Sequence, residues 1–193
     1  MTTQLGPLAI LLMLALLGSV LIPWSASGRW RGPLVFAISS SGLVAVLSGG
    51  RAVPLFLGSI GWSLCLIGVP ALLRAAGSSA FSATLSLLAW WTLLASPFLA
   101  ALVTRLGATE AALPAWTELV AAMHPAGMLL DAGWGTDWFR SNRLYQLAPL
   151  GSYAFRYPTV AWQGGIVASL GLIGLLLGRL ATRRDRPKEA ASE

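Results

Sequence analysis

Apolar residues follow one another along this chain in blocks of about 20, and ionisable side chains sit almost entirely between the blocks. From Met1 to Leu73 only Arg29, Arg31 and Arg51 interrupt the apolar text. The stretches Phe81–Thr104 and Pro158–Gly178 hold no ionisable side chain at all. A helix of about 20 apolar residues matches a hydrocarbon core of about 30 Å. The pattern predicts an all-α, polytopic integral membrane protein with five or six transmembrane helices and short interfacial helices before the last span. The first span is expected over about Leu5–Ile22, ended at an interface by Pro23 and Trp24. Pro33–Leu47 is shorter and rich in Ser and Gly (Ser39, Ser40, Ser41, Gly42), so it reads as a tilted span or a broken helix. Pro54–Leu73 and Phe81–Thr104 follow, the latter with Trp90 and Trp91 near its middle and Pro97 positioned to kink it. The last span is expected over Thr159–Leu180.

The region Gly107–Tyr157 breaks the pattern, because it carries Glu110, Glu118, Asp131, Asp137, Arg140, Arg143 and Arg156. Trp116, Leu119, Val120 and Met123 recur at helical spacing on one face. That helix is too short and too polar to span alone, and Pro125 interrupts it. Pro114–Asp131 therefore reads as one or two short helices lying at the interface or dipping into it. The organisation is one membrane domain over 1–181, with 107–157 extracytoplasmic, and a basic cytoplasmic tail over 182–193.

Composition sharpens this. Charged residues make up 10% of the 193 residues, against about 25% in an ordinary soluble domain. The net charge of +6 is not a nucleic-acid signal, because Arg179, Arg183, Arg184, Arg186 and Lys188 cluster just past the last apolar block, as at a cytoplasmic end. With that tail inside and five spans, Arg29, Arg31 and Arg74 fall inside, while Arg51, Arg105, Arg140, Arg143 and Arg156 fall outside. A sixth span over Pro114–Leu130 evens the two sides, so five spans and an outer N-terminus fit the positive-inside bias better. Thr2, Thr3 and Gln4 put no positive charge ahead of the first apolar run, which is read as a retained span of the inner or plasma membrane.

Candidate chemistry is sparse. No Gly-rich phosphate loop with Lys-Ser/Thr is present, so ATP is not expected to bind by that device. His124 is the only histidine, and Cys65, the only cysteine, lies far from it in sequence; no metal or cofactor is expected. His124 reads as a polar helix-end residue before Pro125 or as a proton-sensitive, substrate-contacting group. Cys65 lies between Leu64 and Leu66 and reads as packing, since a thiolate needs a polar, electropositive setting. Ser39–Ser41 read as bonding back to their own helix, with a polar path lining as the alternative. Gly174 and Gly178 form a Gly-xxx-Gly helix-contact pair. Trp134, Trp138, Tyr145, Tyr153 and Tyr157, with arginines between, read as an interfacial aromatic belt or a headgroup- or sugar-binding strip. No ionisable residue lies in the middle of the five spans, which counts against ion-coupled transport and intramembrane hydrolysis.

The run Leu113-Pro114-Ala115-Trp116, the following His124-Pro125 and the continuation to Gly133 resemble a segment of type-2 ABC exporter permeases. That family places a Leu-Pro-x-Trp start and an Asn-Pro between its last two spans, as short re-entrant helices on the outer face. The order here is similar: a strong span, this segment, a final span and a basic end. His124 stands where the family has Asn, and the chain begins directly in an apolar run where the family begins with an amphipathic helix and has six spans. The resemblance covers about the last 110 residues. It implies a non-enzymatic permease subunit, in the bilayer as a homo- or heterodimer, driven by a separate ATPase subunit. Arg29, Trp30 and Arg31 are then the ATPase contact, and Trp116, Met123, His124, Pro125, Trp134 and Trp138 the outer gate. The rival expectation is a structural or accessory subunit of a larger membrane complex. A lipid-modifying enzyme using Asp131 and Asp137 is a third option, and it requires the two carboxyl groups to converge.

Overall fold

The computed structural model describes residues 5–47, 52–105, 112–135 and 159–190. All regular structure among them is α-helical: α1 Leu5–Ala26, α2 Arg31–Leu47, α3 Ala52–Ala76, α4 Ser79–Arg105, α5 Ala112–Met123, α6 Pro125–Trp134 and α7 Val160–Ala190. Three are long and apolar enough to cross a membrane: α3, α4 over Ser79–Phe98 and α7 over Val160–Thr182. The described apolar stretch of α1, Leu12–Ala26, is shorter, and α2 has 17 residues. The outside of the bundle is apolar, with Val35, Leu88, Trp162 and Leu176 each more than 60% exposed. Such a surface suits lipid and not water.

Helix boundaries differ from the expected ones in two informative places. α1 does not stop at Pro23 but runs to Ala26. Pro23 removes one donor, to the carbonyl four residues before it, but its φ suits the helix and the chain continues one more turn, where the Ser27 N–H closes onto the Pro23 carbonyl. The helix carrying the last apolar block continues through the basic residues to Ala190 without a break at 181.

The contacts fix the direction of each helix. Gly61 of α3 lies against Gly164 of α7, Gly68 against Gly171 and Gly174, and Ala71 against Gly178, so α3 and α7 run parallel and in backbone contact along their length. In lipid the hydrophobic effect does not drive helices together, and close backbone approach at small residues takes its place. α1 runs with them, because the turn after it, at Gly28, meets Arg74 at the end of α3. α2 and α4 run back the other way. The arginines Arg29, Arg31, Arg74 and Arg179 therefore gather at one end of the bundle. The buried core beneath them is built on Leu14, Leu21 and Ile22 of α1, Leu55 and Ile67 of α3, and Trp62 against Trp90, with ring centroids 5.8 Å apart.

Candidate functional site

Two prolines lie deep in the long helices, Pro70 in α3 and Pro97 in α4. A proline inside a helix frees carbonyls three and four residues before it, and in a membrane another donor must satisfy them. Both helices solve this with side chains. Below Pro70, the Ile67 carbonyl accepts from the Ser25 hydroxyl of α1 at 3.1 Å. Below Pro97, the Leu93 carbonyl accepts from the Ser96 hydroxyl at 2.6 Å, and the Leu94 carbonyl from Nε2 of His124 at 3.2 Å. That last bond requires the hydrogen of the imidazole to sit on Nε2.

His124 reaches α4 because α5 and α6 form a helical hairpin that enters from the end opposite the arginines. α5 carries the chain inward from beyond α4; His124 is the single extended residue at the tip, with φ −77° and ψ 118°; Pro125 starts α6, which leads outward again. Pro at the first helical position costs no hydrogen bond there. Gly135 closes α6 in the left-handed conformation, φ 63°, with its N–H on the Asp131 carbonyl. α6 is inserted into the bundle: Ala126, Met128, Leu129 and Leu130 are all fully buried, and it packs against Leu55 and Gly58 of α3, while α5 leaves Leu119 and Met123 exposed. A Cβ on Gly58 would sit 2.9 Å from the Met128 methyl and 3.0 Å from a Leu129 methyl, so the absence of a side chain admits the hairpin. Gln163 at the start of α7 donates to the Ala122 carbonyl, two residues before the tip.

The proposed outer-gate residues thus separate. His124 and Pro125 form the buried tip, and Met123 beside them is half exposed, on the wall of an apolar groove between α4 and α5 with Leu88, Thr92 and Leu119. Trp116 lies in α5 and Trp134 ends α6, but their side chains, and Trp138 entirely, lie outside the described residues. So do Asp137 and Tyr145, Tyr153 and Tyr157; Asp131 is exposed on α6. Gly174 and Gly178 face Gly68 and Ala71. Cys65 is half-buried in α3, where its backbone meets Gly171 of α7. Of the three serines in α2, Ser40 bonds to the Ala37 carbonyl, Ser39 is exposed, and the buried Ser41 hydroxyl has no partner among the described residues.

At the opposite end, Arg29, Trp30 and Arg31 make the turn from α1 into α2. Arg31 lies beside the Trp30 ring, and the Arg179 guanidinium of α7 stacks over it at 4.5 Å from the centroid. The Arg74 guanidinium lies over Gly28, whose φ of +83° disfavours any other residue there.

Sequence reasoning missed Ser25, Ser82, Trp90 and Gln163 as cross-helix donors. Ser82 bonds the Pro70 carbonyl at 2.6 Å, and Nε1 of Trp90 the Leu14 carbonyl at 3.2 Å. For Ser25, Ser82 and Trp90 a usable signal was present, polar residues in apolar blocks that also contain an internal proline; the block of Gln163 has none. Comparison of the chain with protein-family models, with curated proteins and with solved structures finds no match.

Proposed function

We propose that the chain is the membrane permease subunit of an ABC-type exporter, with five spans, an outer N-terminus and a cytoplasmic basic end, driven by a separate ATPase. One observation carries this reading: a two-helix hairpin, its tip His124-Pro125 and its second helix buried, enters the bundle from the end opposite the arginines, ahead of the last long helix in the chain. That is the place and form the resemblance around Leu113–Gly133 implies for outer re-entrant helices. α1 and α2 complete the five spans by running the same course as the three longer helices, α2 tilted little because 17 residues at 1.5 Å rise reach only about 25 Å. The hairpin caps the outer mouth of a substrate path between two protomers. The α1–α2 turn at Arg29, Trp30 and Arg31 takes the push of the ATPase.

Copurification from mild detergent tests the assignment. A stoichiometric ABC ATPase in the mass spectrum is the expected result. Charge reversal with Arg29→Glu and Arg31→Glu is expected to uncouple or dissociate it; unchanged assembly and ATPase activity would refute the contact.

A second reading is a structural subunit of a larger membrane complex. It draws on the interior of the bundle, where most buried side-chain donors that reach another helix end on backbone carbonyls and so serve the fold. Copurification with other membrane subunits and no ATPase is its signature.

A further inference from the structure

The arginine end contains a cleft of about 60 Å³ between the α1–α2 turn, α3 and α7. Its inner wall is apolar, from Ile67, Ala71 and Leu175, and its rim is cationic, from Arg74 and Arg179. The Arg179 guanidinium stacks on the face of Trp30, and the Arg74 guanidinium lies close over Gly28. Glu118 and Asp131 belong to the hairpin at the other end, and the side chains of Asp185 and Glu189, further along α7, lie outside the described residues. Arg29 and Arg31 flank the cleft without lining it.

We propose that this cleft binds the phosphate of an anionic phospholipid from the same leaflet. Two guanidiniums beside one cavity suit a phosphate, to which each can present paired N–H donors. Basic pockets between helices at a cytoplasmic membrane face are a recurring form of lipid recognition. The volume, roughly that of two water molecules, admits a compact anion. A lipid fits better than free phosphate, because the wall below the arginines is apolar and continues onto the exposed leucines of α7, Leu172 and Leu176, where acyl chains lie. The inference rests on the membrane-spanning reading and not on the exporter assignment, so its failure leaves that assignment as it stood.

The test is native mass spectrometry of the full chain released from micelles holding phosphatidylglycerol or phosphatidylcholine. The wild type is expected to retain one phosphatidylglycerol and to prefer it over phosphatidylcholine. The double variant Arg74→Gln, Arg179→Gln is expected to lose at least about tenfold in that affinity, since two charge-assisted contacts are removed. Arg29→Gln, outside the cleft, is expected to bind as wild type. Lipid retention is read on folded, charge-reduced monomers, so a variant that misfolds is excluded from the comparison, and Arg179→Lys, which keeps charge without the planar stack, then serves in its place with a smaller expected loss. Equal retention of phosphatidylcholine, an undiminished affinity in the cleft variants, an equal loss in Arg29→Gln, or displacement of the lipid by millimolar inorganic phosphate overturns the proposal.

Discussion

Replacing Gly68 by Ala tests the central contact of the fold. The added Cβ would lie 1.9 Å from the Gly171 carbonyl oxygen, a backbone atom that cannot rotate away. Real Cβ contacts essentially never fall under 3.0 Å, so α3 and α7 must part by about 1.1 Å at this level. The strain spreads, because the same two helices also touch at Gly61 with Gly164 and at Ala71 with Gly178, where a Cβ on Gly61 or Gly178 would meet a carbonyl oxygen at 2.6 Å. Overpacking of this kind destabilises by about 1–3 kcal/mol. Gly165 on α7 provides the control, since its Cβ would meet nothing within 4 Å. There the same chemical change gains about 0.5–1 kcal/mol from helix propensity. The two substitutions should therefore differ by about 1.5–4 kcal/mol and with opposite sign. Unfolding in mixed dodecylmaltoside and dodecylsulfate micelles, followed by tryptophan fluorescence, measures the difference. Equal shifts for Gly68→Ala and Gly165→Ala would show that α3 and α7 are not in backbone contact. Gly171→Ala should match Gly68→Ala, and the double variant should fall short of the sum, because helices already parted by one methyl admit the second.

Removing the His124 ring with His124→Ala should cost about 1 kcal/mol, the scale of an interhelical hydrogen bond in a membrane, by baring the Leu94 carbonyl. Pro97→Ala restores the helical donor to the Leu93 carbonyl and removes the ring that bends α4, so the Phe98 N–H can serve the Leu94 carbonyl and relieve part of that cost; a double-mutant cycle in the same micelles should give a nonzero coupling, and strict additivity would sever the link between His124 and the proline break. Trp90→Phe keeps most of the ring area and deletes the donor to Leu14, with an expected loss of about 0.5–1.5 kcal/mol in the same unfolding assay. In a Cys65→Ser background, cysteines placed at Ser27 and Ser78 should react with an impermeant maleimide from one side of sealed vesicles, and one at Gly135 from the other. Labelling of all three from one side would break the five-span arrangement.

Much of the helical layout was legible along the chain. Excluding charge from Phe81–Thr104 and Pro158–Gly178 leaves only a helix able to satisfy its own backbone in lipid, and α4 and α7 cover those stretches. The break at His124-Pro125 was legible too, because a proline is accepted at the first position of a helix and disfavours helical backbone before it. The candidate site was only half legible. Gly174 and Gly178 stood out by their spacing, while Gly61 and Gly68, which take part in the same contact, are seven residues apart and signalled nothing alone. His124 read as a helix end, which it is, but its bond to α4 did not show in the sequence.

What the sequence by itself determined is therefore the segmentation: where helices lie, which carry no charge, and where prolines and glycines interrupt them. Those are properties of neighbouring residues and of their transfer out of water. What the tertiary structure alone decided is which backbone carbonyl each buried donor reaches. Ser25 meets Ile67 at a separation of 42 residues, Trp90 meets Leu14 at 76, and His124 meets Leu94 at 30. Local pattern does not encode such pairings, because they follow from helix direction, close approach at glycine and the depth to which the hairpin inserts.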